Sequence, residues 1–420
     1  MNRHASPDWR RLLTLYWIVS VVEAIGVSQI YTFMPNRLAD VGVATPEIDR
    51  LVGLLGSLFF VTGLPLIPFW GVWADKYSRK AIIVRSALVE AVVFAGVAAS
   101  QTSWQLIGTM LLVGFQLGNS CVMMAAIRDV TPPRRLGLAM GIFAASSPFG
   151  FGMGPAVGGL MIDQLHLGSG FVFGSSAVLS VAVAVMLIFG SPDVRPEVVP
   201  TGSVFRLAFG AVRGVLADST VRWLFLVYAI VFVGRQMTGA YIPLLIHHVE
   251  GTSLHVAGSV GVVLGGATIL GALLSPLGGW LADRAGFRQV LVVAAAGLAL
   301  AILGLPLAPA VALIAVTYTF AIAFQAIISS MVSSLLATEV PPERRSATLN
   351  LIYLPLYLGG IAGPAIGANV VGAGLSAVFF VAAGATACGV VVAAVFAYRS
   401  RGLPQPVPEP GGATLIPPVE

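Results

Sequence analysis

The sequence predicts an all-α membrane protein, in which twelve transmembrane helices form two related six-helix bundles. Hydrophobic residues make up 57% of the 420 residues and charged residues only 10%, whereas soluble domains carry about 25% charged residues. Apolar runs of about 20 residues recur along the chain, and a helix of that length crosses a bilayer with its backbone hydrogen bonds satisfied. The two halves also repeat the same short motifs.

The apolar runs predict where the helices lie. We place spans over residues 12–35, 50–73, 80–99, 104–128, 136–161, 170–190, 221–246, 256–281, 289–307, 310–337, 344–370 and 375–397. Residues 1–190 then form an N-terminal bundle and residues 221–398 a C-terminal bundle. The polar stretch 191–220 is a cytoplasmic linker, in which a short amphipathic helix is expected over residues 204–216.

The ends of the chain and its cysteines carry little further information. The first span is too long for the apolar core of a signal peptide and lacks a small-residue cleavage site, so the N-terminus is expected to stay on the protein. Residues 399–420 are Pro-rich and are predicted to be a disordered tail. Cys121 and Cys388 lie inside spans and indicate neither a disulfide nor a metal site. No cofactor is expected.

The basic residues predict the orientation of the chain. With both termini in the cytoplasm, twenty of the 23 Lys and Arg residues fall on the cytoplasmic side, including Arg85, while Arg37 and Arg50 lie opposite and Arg235 is embedded. This asymmetry follows the positive-inside rule, and no nucleic-acid partner is needed to explain the net charge. Arg outnumbers Lys by 21 to 2, which with the Ala, Gly and Val bias indicates the plasma (inner) membrane of a bacterium.

The two halves match at an offset of 208 or 209 residues. The matched pairs are Gly71 and Asp75 with Gly279 and Asp283, Phe115 and Gln116 with Phe324 and Gln325, and Gly154 and Pro155 with Gly363 and Pro364. Two bundles related by an axis along the membrane normal place a substrate site between them at mid-membrane. Access would then alternate as one half rocks against the other.

A loop motif occurs once in each half. GVWADKYSRK runs from Gly71 to Lys80 and GWLADRAGFR from Gly279 to Arg288, and both resemble the short-loop signature of the major facilitator superfamily. The resemblance implies a cytoplasmic latch that favours the outward-facing state, in which an Asp near a helix terminus pairs with an Arg. Its residues here are Gly71, Asp75, Arg79, Lys80, Gly279, Asp283, Arg284 and Arg288. Alternatively, the basic clusters only anchor the topology.

The fifth span carries the sequence GFGMGPAVGG, which matches the pattern GxxxGPxxGG. The residues are Gly150, Gly154, Pro155, Gly158 and Gly159. Glycines at this spacing flatten a helix face for close packing, and such packing alone also explains them. The pattern resembles that of antiporter and drug-efflux members of the superfamily, and the whole chain is most similar to the twelve-span drug:proton antiporter (multidrug efflux) group. That group carries an Arg in the fourth span where this chain has Gly114.

Three ionisable residues lie deep inside predicted spans, where charge is costly and therefore indicates function. Glu23 and Arg235 both lie roughly 18–20 Å from the cytoplasmic edge, and the resemblance places both on a central cavity. We expect them to form an ion pair or to hold a polar substrate group together. Protonation of Glu23 would then free Arg235. The alternative is that Glu23 and Arg235 each snorkel or pair with a nearby backbone group in a purely structural role. Glu90 in the third span is expected either to couple protons or to serve an interhelical role.

Polar residues at mid-span are candidates for the rest of the cavity. They are Gln29, Tyr31, Gln116, Asn119, Gln236, Tyr241, Tyr318, Gln325, Asn350, Tyr353 and Tyr357. Hydrogen bonding between helices explains many of them equally well. His247, His248 and His255 are expected in a solvated loop, with a pH-sensing or metal role as the alternative.

These patterns favour a secondary exporter of small amphipathic compounds that exchanges its substrate for protons. The partners expected are a small-molecule substrate, protons and membrane lipids, and the chain is expected to be a monomer. The alternative is an exporter or facilitator of a specific metabolite, sugar or lipid, and a third hypothesis is a membrane sensor. No GxxxxGK[ST], HExxH or GxSxG motif occurs, so the sequence predicts no enzyme and an ion gradient as the energy source.

Overall fold

The computed structural model describes residues 8–194, 196, 201–251, 256–339 and 351–399. Over these residues the chain is helical and contains no β-strand, and twelve helical segments are long and apolar enough to cross a membrane. The predicted fold class is confirmed. His255, residues 344–350 of the eleventh predicted span, which include Asn350, and the predicted tail beyond Arg399 lie outside the described residues.

The first six spans use eight helices, because the second and fourth spans are each interrupted. They are α1 (Trp9–Asp40), α2 (Thr45–Val61), α3 (Ile67–Lys76), α4 (Arg79–Ala99), α5 (Ser103–Leu112), α6 (Asn119–Val130), α7 (Leu136–Asp163) and α8 (Ser169–Gly190). Polar caps mark several starts. Asp8 accepts a hydrogen bond from the Arg10 amide at 3.0 Å before α1, and Thr102 and Gln105 form a capping box at α5.

One helix of the linker and six helices of the second half complete the chain. They are α9 (Val204–Leu216), α10 (Ser219–Glu250), α11 (Val256–Ala285), α12 (Phe287–Gly304), α13 (Val311–Glu339), α14 (Tyr353–Val370) and α15 (Leu375–Arg399). The helix expected at 204–216 is therefore present. It packs on α3, where Phe205 and Phe209 contact the Phe69 ring at centroid distances of 5.3 and 5.8 Å. We call this side of the molecule the linker face and the opposite side the far face.

The interruptions of the second and fourth spans pack against each other. The second span is broken between α2 and α3, where Gly63 and Pro65 lie, and the fourth is broken between α5 and α6, where Gly118 has a φ of +96°. A side chain at Gly114 would overlap Thr62 and the Gly63 backbone, so only glycine fits there in this packing. The missing fourth-span arginine thus has a steric explanation: Gly114 belongs to a helix break that contacts another helix break.

Two helix pairs join the bundles towards the far face. The α7 helix packs along α11, and the α2 helix packs along α14. The contact between α7 and α11 depends on glycine. A Cβ on Gly159 would lie 2.7 Å from the Ala257 carbonyl oxygen, and a Cβ on Gly265 would overlap the Gly152 carbonyl oxygen. On the other side of α7, side chains at Gly150 and Gly154 would overlap the α1 backbone. The glycines of the fifth span therefore let α7 approach both α1 and α11.

A side chain at Gly159 is expected to open the far face. In Gly159→Val the added carbons meet the backbone of α11, which cannot rotate away, and overpacking of this kind costs about 1–3 kcal/mol. We expect the distance between spin labels at Ala44 and Ala373, measured by double electron–electron resonance with both cysteines replaced by serine, to shift to longer values. Gly108→Val is the matched control, since a Cβ there meets nothing within 4 Å. An unchanged distance in Gly159→Val would contradict this account of the closure.

Candidate functional site

A cavity of about 830 Å³ lies between the two bundles. The first bundle lines it with residues of α1, α2, α3, α6 and α7, and the second with residues of α10, α11, α13 and α14. Towards the linker face its wall reaches Asp75 and, on α9, Leu207 and Ala211. Towards the far face, in the part of the chain that the structure describes, its wall ends at Thr32 on α1 and Gly239 on α10. Among the described residues the cavity therefore extends to the linker face and ends short of the far-face contacts.

Most of the polar residues proposed from the sequence line this cavity. They are Glu23, Tyr31, Asn119, Arg235, Gln236, Tyr318, Gln325, Tyr353 and Tyr357. The Gln236 amide donates a hydrogen bond to the Tyr31 hydroxyl at 3.3 Å and so links α10 to α1 across the cavity. Aromatic residues complete the wall, among them Phe59, Phe60 and Phe232. The site is an amphipathic chamber with a few polar groups.

Three of the predicted cavity residues lie elsewhere. Gln29 is buried between helices, where its amide donates to the Gly154 carbonyl at 3.4 Å and accepts from Ser176 at 2.6 Å. Tyr241 is buried in the contact between α2 and α14, close to Gly53 and Gly367. Gln116 is buried in the break of the fourth span. The expectation fails for these residues because the two sides of a largely apolar helix have similar compositions. The sequence therefore does not show which side faces the cavity.

The carboxylate of Glu23 faces the cavity from α1. It accepts a hydrogen bond from the Asn119 side chain at 2.9 Å. Asn119 is the first residue of α6 and follows Gly118 directly, so the left-handed turn at Gly118 brings the amide to the carboxylate. The break in the fourth span thus provides a hydrogen-bond donor that a continuous helix would place elsewhere.

The guanidinium of Arg235 faces the same cavity from α10, in the other bundle. It lies 5.7 Å from the centroid of the Tyr318 ring, within the range of a cation–π contact. Among the residues that the structure describes, no ion pair joins Arg235 to Glu23 or to another carboxylate. The ion pair expected from the matching depths is therefore not formed in this conformation, and both charged groups stay available to the cavity.

Arg85 was placed on the cytoplasmic side by the sequence, and this prediction is wrong. Its guanidinium lies inside the first bundle, 3.5 Å from the centroid of the Trp70 ring, and donates to the Leu117 carbonyl at 2.9 Å. Its charge is close enough to interact with that of Glu23. Arg85 is the seventh residue of the third span, and this position was a signal for a place inside the bundle. Arg79 and Lys80 already supply the positive charge at the membrane edge.

The loop motif of the first half forms a charge cluster within its own bundle. Arg79 pairs with Asp75 at 2.9 Å and with Asp129 of α6 at 2.7 Å, and Lys80 donates to the Ile188 carbonyl at 2.7 Å. Asp129 was not singled out from the sequence. A Cβ on Gly71 would meet nothing within 4 Å, so this glycine makes no close helix contact here.

The second copy of the motif is more exposed. Arg284 stacks on Trp280 at 3.8 Å, Asp283 lies at the surface, and Arg288 is buried at the start of α12. A Cβ on Gly279 would likewise meet nothing within 4 Å. In the described part of the chain, the ion pairs of the first copy, from Arg79 to Asp75 and to Asp129, stay within the first bundle.

The remaining described candidates are two cysteines and two histidines. The described residues contain no group of three or more His, Cys, Asp or Glu side chains that could hold a metal ion. Cys121 and Cys388 are free thiols. His247 and His248 lie in the last turns of α10, so they belong to a helix and not to a loop.

Comparison with known proteins gives the family. The model of the Major Facilitator Superfamily matches residues 16–271 and, in a second match, residues 224–418. A multi-drug resistance efflux pump PmrA homolog of Lactococcus lactis is 24% identical over 376 residues, 89% of this chain and 91% of the relative. The multidrug resistance protein MdtG of Proteus mirabilis is 27% identical over 286 residues, 68% of this chain and 70% of the relative.

Solved structures show the same fold. The nucleoside transporter NupG superimposes with a TM-score of 0.72 at 16% identity, covering 94% of this chain and 99% of NupG. A bacterial homolog of the human lysosomal transporter Spinster, solved in an inward-facing and unoccupied conformation, gives a TM-score of 0.63 at 18% identity and covers 91% of this chain and 96% of the homolog. With its twelve spans and its central cavity, the chain belongs to the Major Facilitator Superfamily and is a membrane transporter.

Proposed function

We propose that this transporter exports small amphipathic compounds in exchange for protons, by alternating access. The observation that carries the proposal is the cavity, where Glu23 of one bundle and Arg235 of the other stand among aromatic side chains without pairing. Relatives named as multidrug resistance proteins support the same class of substrate.

The basic residues indicate which side of the membrane the cavity faces. Arg79 and Lys80 begin α4 directly after α3, on which α9 packs, and Arg10 and Arg11 lie at the start of α1 on the same side. By the positive-inside rule this face is cytoplasmic. The described conformation then presents its cavity to the cytoplasm, where an exporter takes up its substrate. Rocking of the bundles would close the linker face and separate the glycine contacts of the far face.

The cavity suits lipophilic cations. Its volume of about 830 Å³ lies within the usual range of drug-sized sites, roughly 300–1,000 Å³. The aromatic rings of Phe59, Phe60 and Phe232 offer apolar surface and faces that attract cations. Glu23 supplies a negative charge in an environment of low dielectric, where attraction to a cation is strong.

Exchange for protons follows if Glu23 binds either a proton or the cationic substrate, but not both at once. An ionised Glu23 in the cytoplasm-facing cavity binds the cationic substrate, and a protonated Glu23 does not. If protonation from the outside drives release of the substrate and return of the empty carrier, the proton gradient powers export. This competition requires differential binding of substrate and proton in the two conformations, which is the thermodynamic condition for coupling.

A second candidate is export of a specific zwitterionic metabolite. It is favoured by the opposite charges that the two bundles contribute to one cavity, since Glu23 can hold an ammonium group and Arg235 a carboxylate. In this case both charged residues bind substrate. The two candidates therefore differ in the role of Arg235.

Removal of the Glu23 charge is expected to abolish proton-driven transport. In proteoliposomes with an acidic lumen, molecules whose linker face points outward should take up ethidium as protons leave. In Glu23→Gln the uptake rate should fall to that of protein-free vesicles, because no carboxylate is left for the dye and the proton to exchange. Uptake is measured by ethidium fluorescence and proton movement by a lumenal pH dye.

The matched control is Glu47→Gln, which removes an exposed carboxyl at the start of α2 on the far face. This variant should transport like the wild type. Proton-driven uptake that survives in Glu23→Gln would exclude Glu23 as the exchange site. Wild-type uptake that does not depend on the pH gradient would exclude proton antiport altogether.

Removal of the Arg235 charge separates the two candidates. For multidrug export, Arg235→Ala should bind ethidium as tightly as the wild type or more tightly, because a repelling charge is lost. For a zwitterion exporter, binding of a carboxylate-bearing substrate should weaken by about tenfold or more, since a hydrogen bond to a charged group contributes about 1.5–3 kcal/mol. Binding is measured by fluorescence or calorimetric titration of the purified protein, with Arg235→Lys as the charge-retaining control.

A further inference from the structure

A second carboxyl group lies inside the first bundle, outside the cavity wall. Glu90 of α4 is only 3% exposed, and its Oε1 atom is buried without a hydrogen-bond partner. It faces α1, since a Cβ built on Gly26 would lie 3.2 Å from that oxygen. No ion pair reaches Glu90 in the described part of the chain. An ionised carboxylate in such surroundings is strongly destabilised, whereas a protonated one is not.

Glu90 and Arg85 act on Glu23 from the same helix. The carboxylate of Glu23, three residues before Gly26 on α1, interacts electrostatically with Glu90 and with Arg85. Arg85 is directed to the break of the fourth span, where it donates to the Leu117 carbonyl at 2.9 Å and attracts Glu23. Glu23 thus has a cation and an amide donor near it, whereas among the described residues no ion pair reaches Glu90 and its Oε1 atom has no hydrogen-bond donor.

Charge counting then gives the protonation state of this group. Two carboxyls and one guanidinium carry a net charge of −1 when all are ionised, and a net charge buried in the membrane interior is costly. One bound proton makes the group neutral. Because Arg85 and Asn119 stabilise the charged form of Glu23, the proton belongs on Glu90. Among the described residues, Tyr357 of α14 is a further titratable side chain that interacts with Glu23 and Arg85, and Tyr357 in turn interacts with Cys121 and Tyr31.

We propose that Glu90 is a second proton-binding carboxyl of this transporter, which holds one proton inside the first bundle while Glu23 is ionised at the cavity. Its role in coupling rests on the proposed proton antiport. In that role the O–H bond at Glu90 breaks as one forms at Glu23, and a proton taken up from the outer solution re-forms the O–H bond at Glu90, so the pair of carboxyls gains one proton. Glu90 is then the store from which Glu23 is neutralised when the cation leaves.

Infrared spectroscopy of the purified protein tests the site without any transport. The carbonyl stretch of a protonated carboxyl is separate from that of a carboxylate and shifts in deuterium oxide. We expect the wild type to show one such band and Glu90→Gln to lose it. Glu23→Gln should keep it, because Arg85 stays directed to the Leu117 carbonyl and leaves the Glu90 carboxyl without a cation of its own. The isosteric amide preserves the packing in both variants, and Glu47→Gln should leave the band unchanged. A band that is absent from the wild type, or that disappears only in Glu23→Gln, would overturn the proposal.

Substitution of Arg85 tests the charge counting. Without the guanidinium, Glu23 loses its cation, so Arg85→Met should bind a second proton and show a band of about twice the wild-type intensity. Arg85→Lys keeps the charge and should match the wild type. If Arg85→Met does not fold, the paired result from Glu90→Gln and Glu23→Gln still decides the proposal.

Transport in proteoliposomes separates the coupling role from the site. Glu90→Gln should move ethidium down its own gradient at the wild-type rate but should lose uptake driven by an acidic lumen. Uptake that is still driven by the gradient in Glu90→Gln would show that the bound proton is resident and would overturn its coupling role. Failure of the wild type itself to use the gradient would overturn the proposed antiport. The infrared result alone would then decide whether Glu90 binds a proton.

Discussion

Backbone polar groups inside a membrane must find partners within the protein. This requirement determines the structure of the first bundle around Glu23. Where the fourth span unwinds between α5 and α6, its carbonyls lose their helical partners. Thr62 donates to the Leu111 carbonyl at 2.7 Å, Arg85 donates to that of Leu117 at 2.9 Å, and Ser86 donates to that of Gln116. One cation is therefore held at mid-bundle, beside Glu23.

The helix break therefore links backbone structure to site chemistry. The left-handed turn at Gly118 starts α6 and brings the Asn119 amide to the Glu23 carboxylate. The same break brings the guanidinium of Arg85 close to it. In the low dielectric of the bundle these two neighbours stabilise a charge that would otherwise be expelled. A continuous fourth helix would leave Glu23 without either partner.

The conformation depends on a second constraint, which is the close approach of backbones on the far face. Between α7 and α11 the helices meet through Gly159 and Gly265, which have no side chain to keep them apart. At the linker face, by contrast, a Cβ on Gly71 or Gly279 would meet nothing within 4 Å. In this conformation close backbone approach through glycine is therefore found on the far face and not at Gly71 or Gly279.

Much of this protein could be predicted from its sequence because the signals are local or periodic. Runs of apolar residues long enough to cross a bilayer determined the twelve spans, and the doubled loop motif together with the glycine pattern of the fifth span indicated the family. The depths of Glu23 and Arg235 along their helices match, and the resemblance to the family indicated that both reach one cavity. The spans and the depths need only helix geometry and the cost of charge in hydrocarbon.

Only the tertiary structure decided which face of each helix points to the cavity. Gln29 and Tyr31 lie two residues apart on α1, yet the first is packed between helices and the second lines the cavity. Arg85 looked like a residue of the membrane edge because its partners, the carbonyls of Gln116 and Leu117, exist only where a distant helix unwinds. Rotation of a helix about its axis and the place where it breaks are set by contacts with other helices, and a sequence that is apolar on every side does not record them.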